Sequence, residues 1–358
     1  MHWELSEEQG LFVDSLRDWV HERAQPLTVR DWLETGDHAR FERLLFEEGW
    51  AGVGFDEHLG GQGGGMLELA LTARELGRAA VPSAGWLQSA IVAPVLVEEA
   101  DVLQATVEAG EVTALAVRAD HIPATTSVEA RGDHLHGRIP CVLGGARARR
   151  FVVPVHHSDA MELWLVDNAA EGVGVHPRPL LDRSRRVADV SLDEVTARRL
   201  DVDAHASMNE MTSRAAVLVA ADALGACERM LQLAVDYSKQ RQQFGQPIGS
   251  FQAVKHAAAQ MLVTVESSMS IAFYAAQSVE EHLAECATHA AVAKAQVTGH
   301  AADLADSALT LHGAIGYTWE HDLQLFYKRA KLDRVLFGTP AAWNERIADA
   351  LALVHVPA

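Results

Sequence analysis

The chain is poor in cysteine, in tyrosine and in positive charge, and it has no long unbroken apolar run. Its three cysteines, Cys141, Cys227 and Cys286, are far apart and odd in number. Neither a disulfide framework nor a zinc spacing follows from them, and a reducing, cytoplasmic compartment is the expectation. Lys and Arg total 30 against 49 Asp and Glu, giving a formal net charge of −19. A chain this acidic repels nucleic acid and anionic membrane, so neither is expected as a partner. The apolar runs stop short of the roughly 18 residues that a membrane span needs. The opening MHWELSEEQG lacks a basic segment followed by an apolar core, so no secretory signal is read there. The 18 histidines include no H-E-x-x-H frame, and no metal site is expected. His134 and His136 flank Leu135 in an alternating stretch and read as surface residues.

What remains is an ordinary globular composition, 49% apolar and 22% charged, over 358 residues. That length suits two or three domains at about 100–200 residues each. The first third reads helical. Ser6 and Gln9 form a capping box before Leu11, Phe12, Leu16 and Trp19, which recur at helical spacing. Further helices are predicted over 41–48, 66–77 and 86–99. Residues 58–65, HLGGQGGG, invite a phosphate-loop reading. Met66 and Leu67 follow where a P-loop requires Lys and Ser or Thr, so a loop that positions a helix is expected instead. Residues 112–200 carry short β-rich runs separated by turn signals, as in a small barrel or sandwich. Pro154 inside one run points to an edge or a strand end. The last third returns to helix over 206–239, 250–282, 284–312 and 340–353, which suggests a four-helix bundle. The fold class is α+β: an N-terminal helical domain (1–110), a middle β domain (111–203) and a C-terminal helical bundle (204–358).

Between two long helices lies RQQFGQPIGSF. Arg241 there is a fixed cation able to pair with a phosphate or to cap carbonyls, and Phe244 offers an aromatic face. Gly313 and Gly316 let backbone approach a ligand closely. Residues 237–252 (YSKQRQQFGQPIGSFQ), 311–322 (LHGAIGYTWEHD), 325–330 (LFYKRA), 49–61 (GWAGVGFDEHLGG) and 75–78 (ELGR) together resemble the acyl-CoA dehydrogenase family. The resemblance covers the whole chain. It implies the family's fold, FAD as cofactor and an acyl-CoA thioester as substrate. It also implies that Arg241 and Phe244 reach the FAD of a neighbouring subunit while the turn at Gly313 and Gly316 touches its pyrophosphate. Gln243, Gln252, His312 and Thr339 complete the implied cofactor set.

The family's chemistry removes an α-proton with a carboxylate while the flavin takes a β-hydride. That carboxylate is missing. The usual Glu before Gly-Thr corresponds here to Phe337, in the segment VLFGTP. A base on the first helix of the last domain falls at Ala215 or Arg214, and Glu210 is the nearest carboxylate. The family's Thr-Glu-Pro and Trp-Ile-Thr segments correspond to 115–120 (LAVRAD) and 139–144 (IPCVLG), which lack the flavin-binding hydroxyls and the Trp. Residues 181–186 (LDRSRR) and 187–190 (VADV) still resemble the end of the family's β domain.

The resemblance therefore implies a base-lacking subunit of an α2β2 heteromer that shares FAD with a sibling chain. A bulky, steroid side-chain acyl-CoA is the implied substrate and an electron-transfer flavoprotein the implied acceptor. The alternatives are a self-sufficient homomer with a displaced base, Glu210, and a non-enzymatic scaffold. Among the other charged and aromatic groups, Glu320 reads as a structural hydrogen-bond acceptor. Asp222 and Glu228 read as solvated or bundle-facing, and Trp319 as core. Lys328, Arg329 and Lys331 read as a cation cluster for CoA phosphates or a solvated helical face.

Overall fold

The computed structural model describes residues 5–157 and 160–351. The first third folds into α1 (Glu7–Arg23), α2 (Pro26–Thr35), α3 (Ala39–Glu47), α4 (Met66–Ala79), α5 (Ala84–Val92) and α6 (Ala100–Ala109). The capping box at the start of α1 is formed as the sequence predicts, with Ser6 and Gln9 bonding each other's backbone. The expected single helix over 86–99 is instead broken. Pro94 has no N–H to give, and a 3-10 turn at Ala93–Leu96 separates α5 from α6. The glycine-rich loop is a positioning loop. Glu68 returns to cap Gly65 N–H at 2.8 Å, and Glu280 accepts Leu67 N–H at 3.0 Å, tying the loop to the last third of the chain.

The middle third holds β1 (Val112–Leu115), β2 (Glu129–Arg131), β3 (His134–Leu143), β4 (Ala148–His157), β5 (Ala160–Asp167), β6 (Val173–Arg178), β7 (Val187–Thr196) and β8 (Arg198–Arg199). Two four-stranded sheets, in the orders β1-β4-β5-β8 and β2-β3-β7-β6, share a core that includes Phe151, Val153, Trp164, Ile139 and Val190. The β-rich run at 125–130 contributes only its end to a strand. Pro154 lies inside β4 opposite Leu163, past Val152, the last residue of β4 paired with β1, so its missing N–H faces no strand.

The last third consists of α7 (Ala204–Gln240), a two-residue hairpin β9 (Gln242–Gln243) and β10 (Gln246–Pro247), α8 (Gln252–Glu280), α9 (Cys286–His312), α10 (Leu323–Asp333) and α11 (Pro340–Ala350). Residues 352–353 of the expected final helix lie outside the described residues. The helical first and last thirds share one core. Gly77 of α4 and Gly225 of α7 make that possible. A Cβ on Gly225 would come within 1.9 Å of the Arg74 carbonyl, and one on Gly77 within 2.1 Å of the Asp222 carbonyl. Only glycine lets these backbones touch.

All three thirds meet at Arg329. Fully buried on α10, it donates to Asp182 at 3.0 Å, to both Asp222 oxygens at 3.0 Å, to the Ser184 hydroxyl at 2.6 Å and to the Val81 carbonyl at 2.8 Å. Arg185 adds bonds to Asp222 at 2.8 Å and to Ser83 at 2.9 Å. Arg329 is therefore no member of a solvated cation cluster, because every face of its guanidinium is taken inside the protein. Asp222 is bundle-facing and buried. Of its neighbours on α10, Lys331 pairs with Asp306 at 2.8 Å and Lys328 lies on Trp319.

Candidate active site

After α10 the chain turns back before Pro340 starts α11. Phe337 sits in that turn with φ +54°, followed by Gly338 at φ +104°. A bulky residue in the left-handed region costs roughly 1–2 kcal/mol, so the surroundings must hold it there. They do so with three hydrogen bonds. Phe337 N–H donates to the Ala119 carbonyl at 2.6 Å, Trp343 Nε1 donates to the Phe337 carbonyl at 2.9 Å, and Lys294 Nζ donates to the Gly338 carbonyl at 2.9 Å. The Phe337 ring is 0% exposed. Lys294 is fully buried as well, and burial pushes its ammonium down to about 7, with Asp333 opposing the shift.

The second position for a base is equally without a carboxylate. Ala215 is completely buried in α7. Arg214 turns its Nε to the Ala90 carbonyl of α5 at 2.9 Å, and burial lowers its guanidinium to about 10 despite the charge of Glu210. Glu210 is half-buried one turn earlier on α7, and its charge serves Arg214. Phe337, Ala215 and Arg214 carry no proton acceptor, and the carboxylate nearest to Ala215 in the sequence is Glu210, half-buried and about one turn away.

A flavin ring needs hydrogen-bond donors along its polar edge. In the two segments that resemble the family's ring seat, several donors are already engaged within the chain. Leu115 N–H donates to the Gln88 side chain at 3.0 Å, Ala116 N–H to the Val152 carbonyl at 2.8 Å and Ala119 N–H to the Cys141 carbonyl at 3.0 Å. Cys141 N–H donates to the Asp189 carboxylate at 3.0 Å, which lowers the Asp189 pKa, and Gly144 N–H to the Arg186 carbonyl at 2.8 Å. No hydroxyl side chain stands in either segment. Thr125, Thr126 and Ser127, a few residues past the first segment, line a chamber of about 370 Å³ together with Arg118, Ile139 and Pro140.

The hairpin between α7 and α8 is open to solvent. Tyr237, near the end of α7, stacks on His312 at the end of α9, with ring centroids 4.7 Å apart. The hairpin after α7 and the glycine turn after α9 are thereby neighbours. Phe244 and Gly245 occupy the two central hairpin positions with φ +52° and +79°, as a tight type I′ turn demands. Phe244 is 91% exposed, with the Phe251 ring edge-on at 6.0 Å. Arg241, Gln243 and Gln252 are exposed too, and Arg241 forms no ion pair among the described residues. Gly313 is exposed at φ +64°.

The remaining residues of the implied cofactor set face elsewhere. His312 is buried, its Nδ1 on the Ala308 carbonyl at 2.7 Å, and its ring sits between Tyr237 and His321. Gly316 is buried because a Cβ there would meet Leu309, His312 and Leu323 within 3.1 Å. The Thr339 hydroxyl accepts from Ala342 N–H at 3.3 Å and so caps α11. Trp319 is not core: it is 54% exposed, with Lys328 Nζ 3.5 Å from its ring centroid. Glu320 is exposed and accepts no hydrogen bond among the described residues, whereas Asp322 next to it pairs with Arg30. Sequence reasoning missed Lys294 and Arg329 as structural centres. A lone lysine in an alanine-rich helix, and an arginine next to two lysines, give no pattern that separates them from surface charge.

Residues 6–104 match the family model described as "Acyl-CoA dehydrogenase, N-terminal domain", and residues 205–352 match "Acyl-CoA dehydrogenase, C-terminal domain". The chain is similar to "Acyl-CoA dehydrogenase IpdE2" of Mycolicibacterium smegmatis, at 30% identity over 96% of this chain and 98% of that one. It is 32% identical to "Acyl-CoA dehydrogenase FadE34" of Mycobacterium tuberculosis over 96% of its own length, but spans only 48% of that protein. Among solved structures, one described as the Tcur3481-Tcur3483 steroid ACAD superimposes with a TM-score of 0.88 at 25% identity, over 98% of this chain and 99% of that chain. Family members are FAD-dependent oxidoreductases of acyl-CoA. No helix among the described residues is long and apolar enough to cross a membrane. With its helical, β and helical thirds in the same order and both flanking portions matched, this chain belongs to the acyl-CoA dehydrogenase family.

Proposed function

We propose that this chain is the base-lacking subunit of an α2β2 acyl-CoA dehydrogenase. In that assembly its exposed hairpin and glycine turn complete an FAD site whose ring seat and base belong to a sibling chain. The observation that carries the reading is the turn at Phe337: an aromatic ring at 0% exposure, with its own N–H already bonded to Ala119. A thioester α-carbon has no route to that position, and no group there can take its proton. Arg241 and Phe244 stand at the other extreme, a free cation and a bare aromatic face on a rigid hairpin. In a single chain they contact almost nothing, which is what groups that work across an interface look like.

Bound FAD would supply the hydride acceptor for α,β-dehydrogenation. This chain's contribution is to hold the cofactor's far half: Arg241 against a phosphate, Phe244 against the adenine face, and the exposed backbone at Gly313 against the pyrophosphate. The likeness to a structure described as a steroid ACAD supports a bulky, steroid side-chain acyl-CoA as substrate. The match to about half of FadE34 supports the pairing, since the remainder of that protein has room for a second chain of this size. Reduced flavin would pass its electrons to an electron-transfer flavoprotein.

Expression of the chain alone and together with each sibling dehydrogenase chain tests the proposal. The chain alone is expected to be colourless and inactive, and the complex to hold two FAD per four chains. Four FAD per four chains, or flavin bleaching by a CoA ester in the chain alone, overturns it.

A further inference from the structure

Although the chain carries a net charge of −19, one cleft gathers arginines. It lies between the α2–α3 turn and the connection from β6 to β7. A chamber of about 430 Å³ is lined by His38, Arg178, Arg183, Arg185 and Arg186, with Leu33, Pro177, Pro179 and Leu180 forming an apolar wall. A smaller chamber of about 190 Å³ shares His38 and Arg186 and extends inward to Arg147 and Glu42.

Three features mark the cleft as more than a solvated surface. Arg178 and Arg185 pair with Asp189 and Asp222, whereas Arg183 and Arg186 form no ion pair with a carboxylate among the described residues; Arg183 lies over the Trp319 ring, 4.8 Å from its centroid. Two buried nitrogens in the cleft have no hydrogen-bond partner among the described residues: Nδ1 of His38, 9% exposed, and the Nε donor of Arg185, 2% exposed. Buried polar atoms are normally satisfied, so orphans beside a cavity indicate a missing acceptor. The carboxylates that line the cleft do not neutralise it. Glu34 is solvent-exposed at the rim, and Glu42 is held at the back by Gly85 N–H at 2.6 Å and Arg147 at 3.3 Å. Burial first, then Arg186, holds the His38 pKa below its ordinary value, with Asp37 opposing the shift and Arg183 adding to it.

We propose that this cleft binds a phosphate-bearing small molecule of the nucleoside diphosphate class, its phosphates on Arg183, Arg186 and His38 and its organic body on the Leu33–Pro179 wall. Several convergent guanidiniums favour a multiply charged oxyanion over a single carboxylate. The larger chamber falls in the roughly 300–1,000 Å³ range of small-molecule sites.

Calorimetric titration of the purified full chain, alone or with the chain it co-purifies with, provides the test. Inorganic pyrophosphate and ADP serve as separate probes, and FAD content is measured in parallel. ADP is expected to bind saturably at one site per chain. Arg183→Ala/Arg186→Ala should weaken that binding at least tenfold, and Arg186→Lys by less, with melting temperature and FAD content unchanged. Pyrophosphate binding as tightly as ADP would replace the nucleoside with a free phosphate ligand and overturn the class. Absence of saturable binding, equal affinity in the double variant, or loss of FAD along with ADP would overturn the site itself.

Discussion

The turn at Phe337 and the hairpin at Phe244 each hold a phenylalanine at positive φ, and they could hardly be used more differently. At Phe337 the strained backbone is bonded on three sides and the ring fills space. At Phe244 a neighbouring glycine and two short strands absorb the conformation, and the ring is offered to solvent. A local backbone feature that marks functional sites in general therefore has opposite meanings within one chain. Exposure and the state of the nearby hydrogen-bond donors decide which applies. The proposed function rests on this contrast: a closed turn where the family's base would stand, and an open hairpin where cofactor contacts would stand.

The largest effect should come from breaking what holds the closed side together. Arg329→Met removes a guanidinium that satisfies Asp182 and Asp222 inside the protein. Two buried carboxylates then lose their partner, and a loss of about 3–5 kcal/mol is expected from breaking such a network. Chemical denaturation of the variant measures it. A loss below about 1 kcal/mol would mean that the three thirds are held by their apolar core alone. The hairpin should be indifferent to this change in every respect except through global unfolding.

A pH experiment probes the same side more finely. The Lys294 amine loses its proton near 7 in the folded chain but near the ordinary 10.5 when unfolded. Between those values the unfolded state binds the extra proton, so folding stability from this group rises with pH. Below about pH 7 its penalty is full. The slope approaches about 1.4 kcal/mol per pH unit where the difference is one proton. Lys294→Met abolishes this contribution. The stability gap between variant and wild type should widen in the variant's favour as pH falls from 10 to 7. A gap independent of pH would mean that Lys294 stays charged in the fold, compensated by Asp333.

The order of helical, β and helical thirds was legible in the sequence because periodicity and capping residues are local. The capping box at Ser6 and the breaks at Gly245 and Pro247 needed no tertiary information. That residue 337 is a phenylalanine is equally a matter of sequence alone. Burial was not legible. Arg329 and Lys328 are adjacent in a basic run, yet one is completely enclosed and the other lies on an exposed Trp319. What separates them is the helical rotation of about 100° per residue combined with partners at positions 182 and 222, distant in sequence. Gly316 shows the same limit. Its lack of a side chain suits a ligand's approach, but the structure uses it to fit Leu309 and Leu323.

Changes at the hairpin should leave the fold alone and show only in the cofactor. Arg241→Ala removes a charge-assisted bond worth about 1.5–3 kcal/mol to a phosphate, so FAD retention by the complex should fall by roughly tenfold or more. The melting temperature of the isolated chain should not move, because Arg241 forms no ion pair among the described residues. Phe244→Ala is the smallest and most discriminating change. An aromatic stacking contact is worth about 0.5–1.5 kcal/mol beyond its area, so FAD should dissociate several-fold faster from the complex. The chain alone gains nothing from a ring that is 91% exposed, and its stability should shift by under about 0.5 kcal/mol. Dissociation of FAD, followed by fluorescence, separates the outcomes. If Phe244→Ala destabilises the isolated chain and leaves FAD release unchanged, the hairpin is a structural turn, and the contrast with Phe337 disappears.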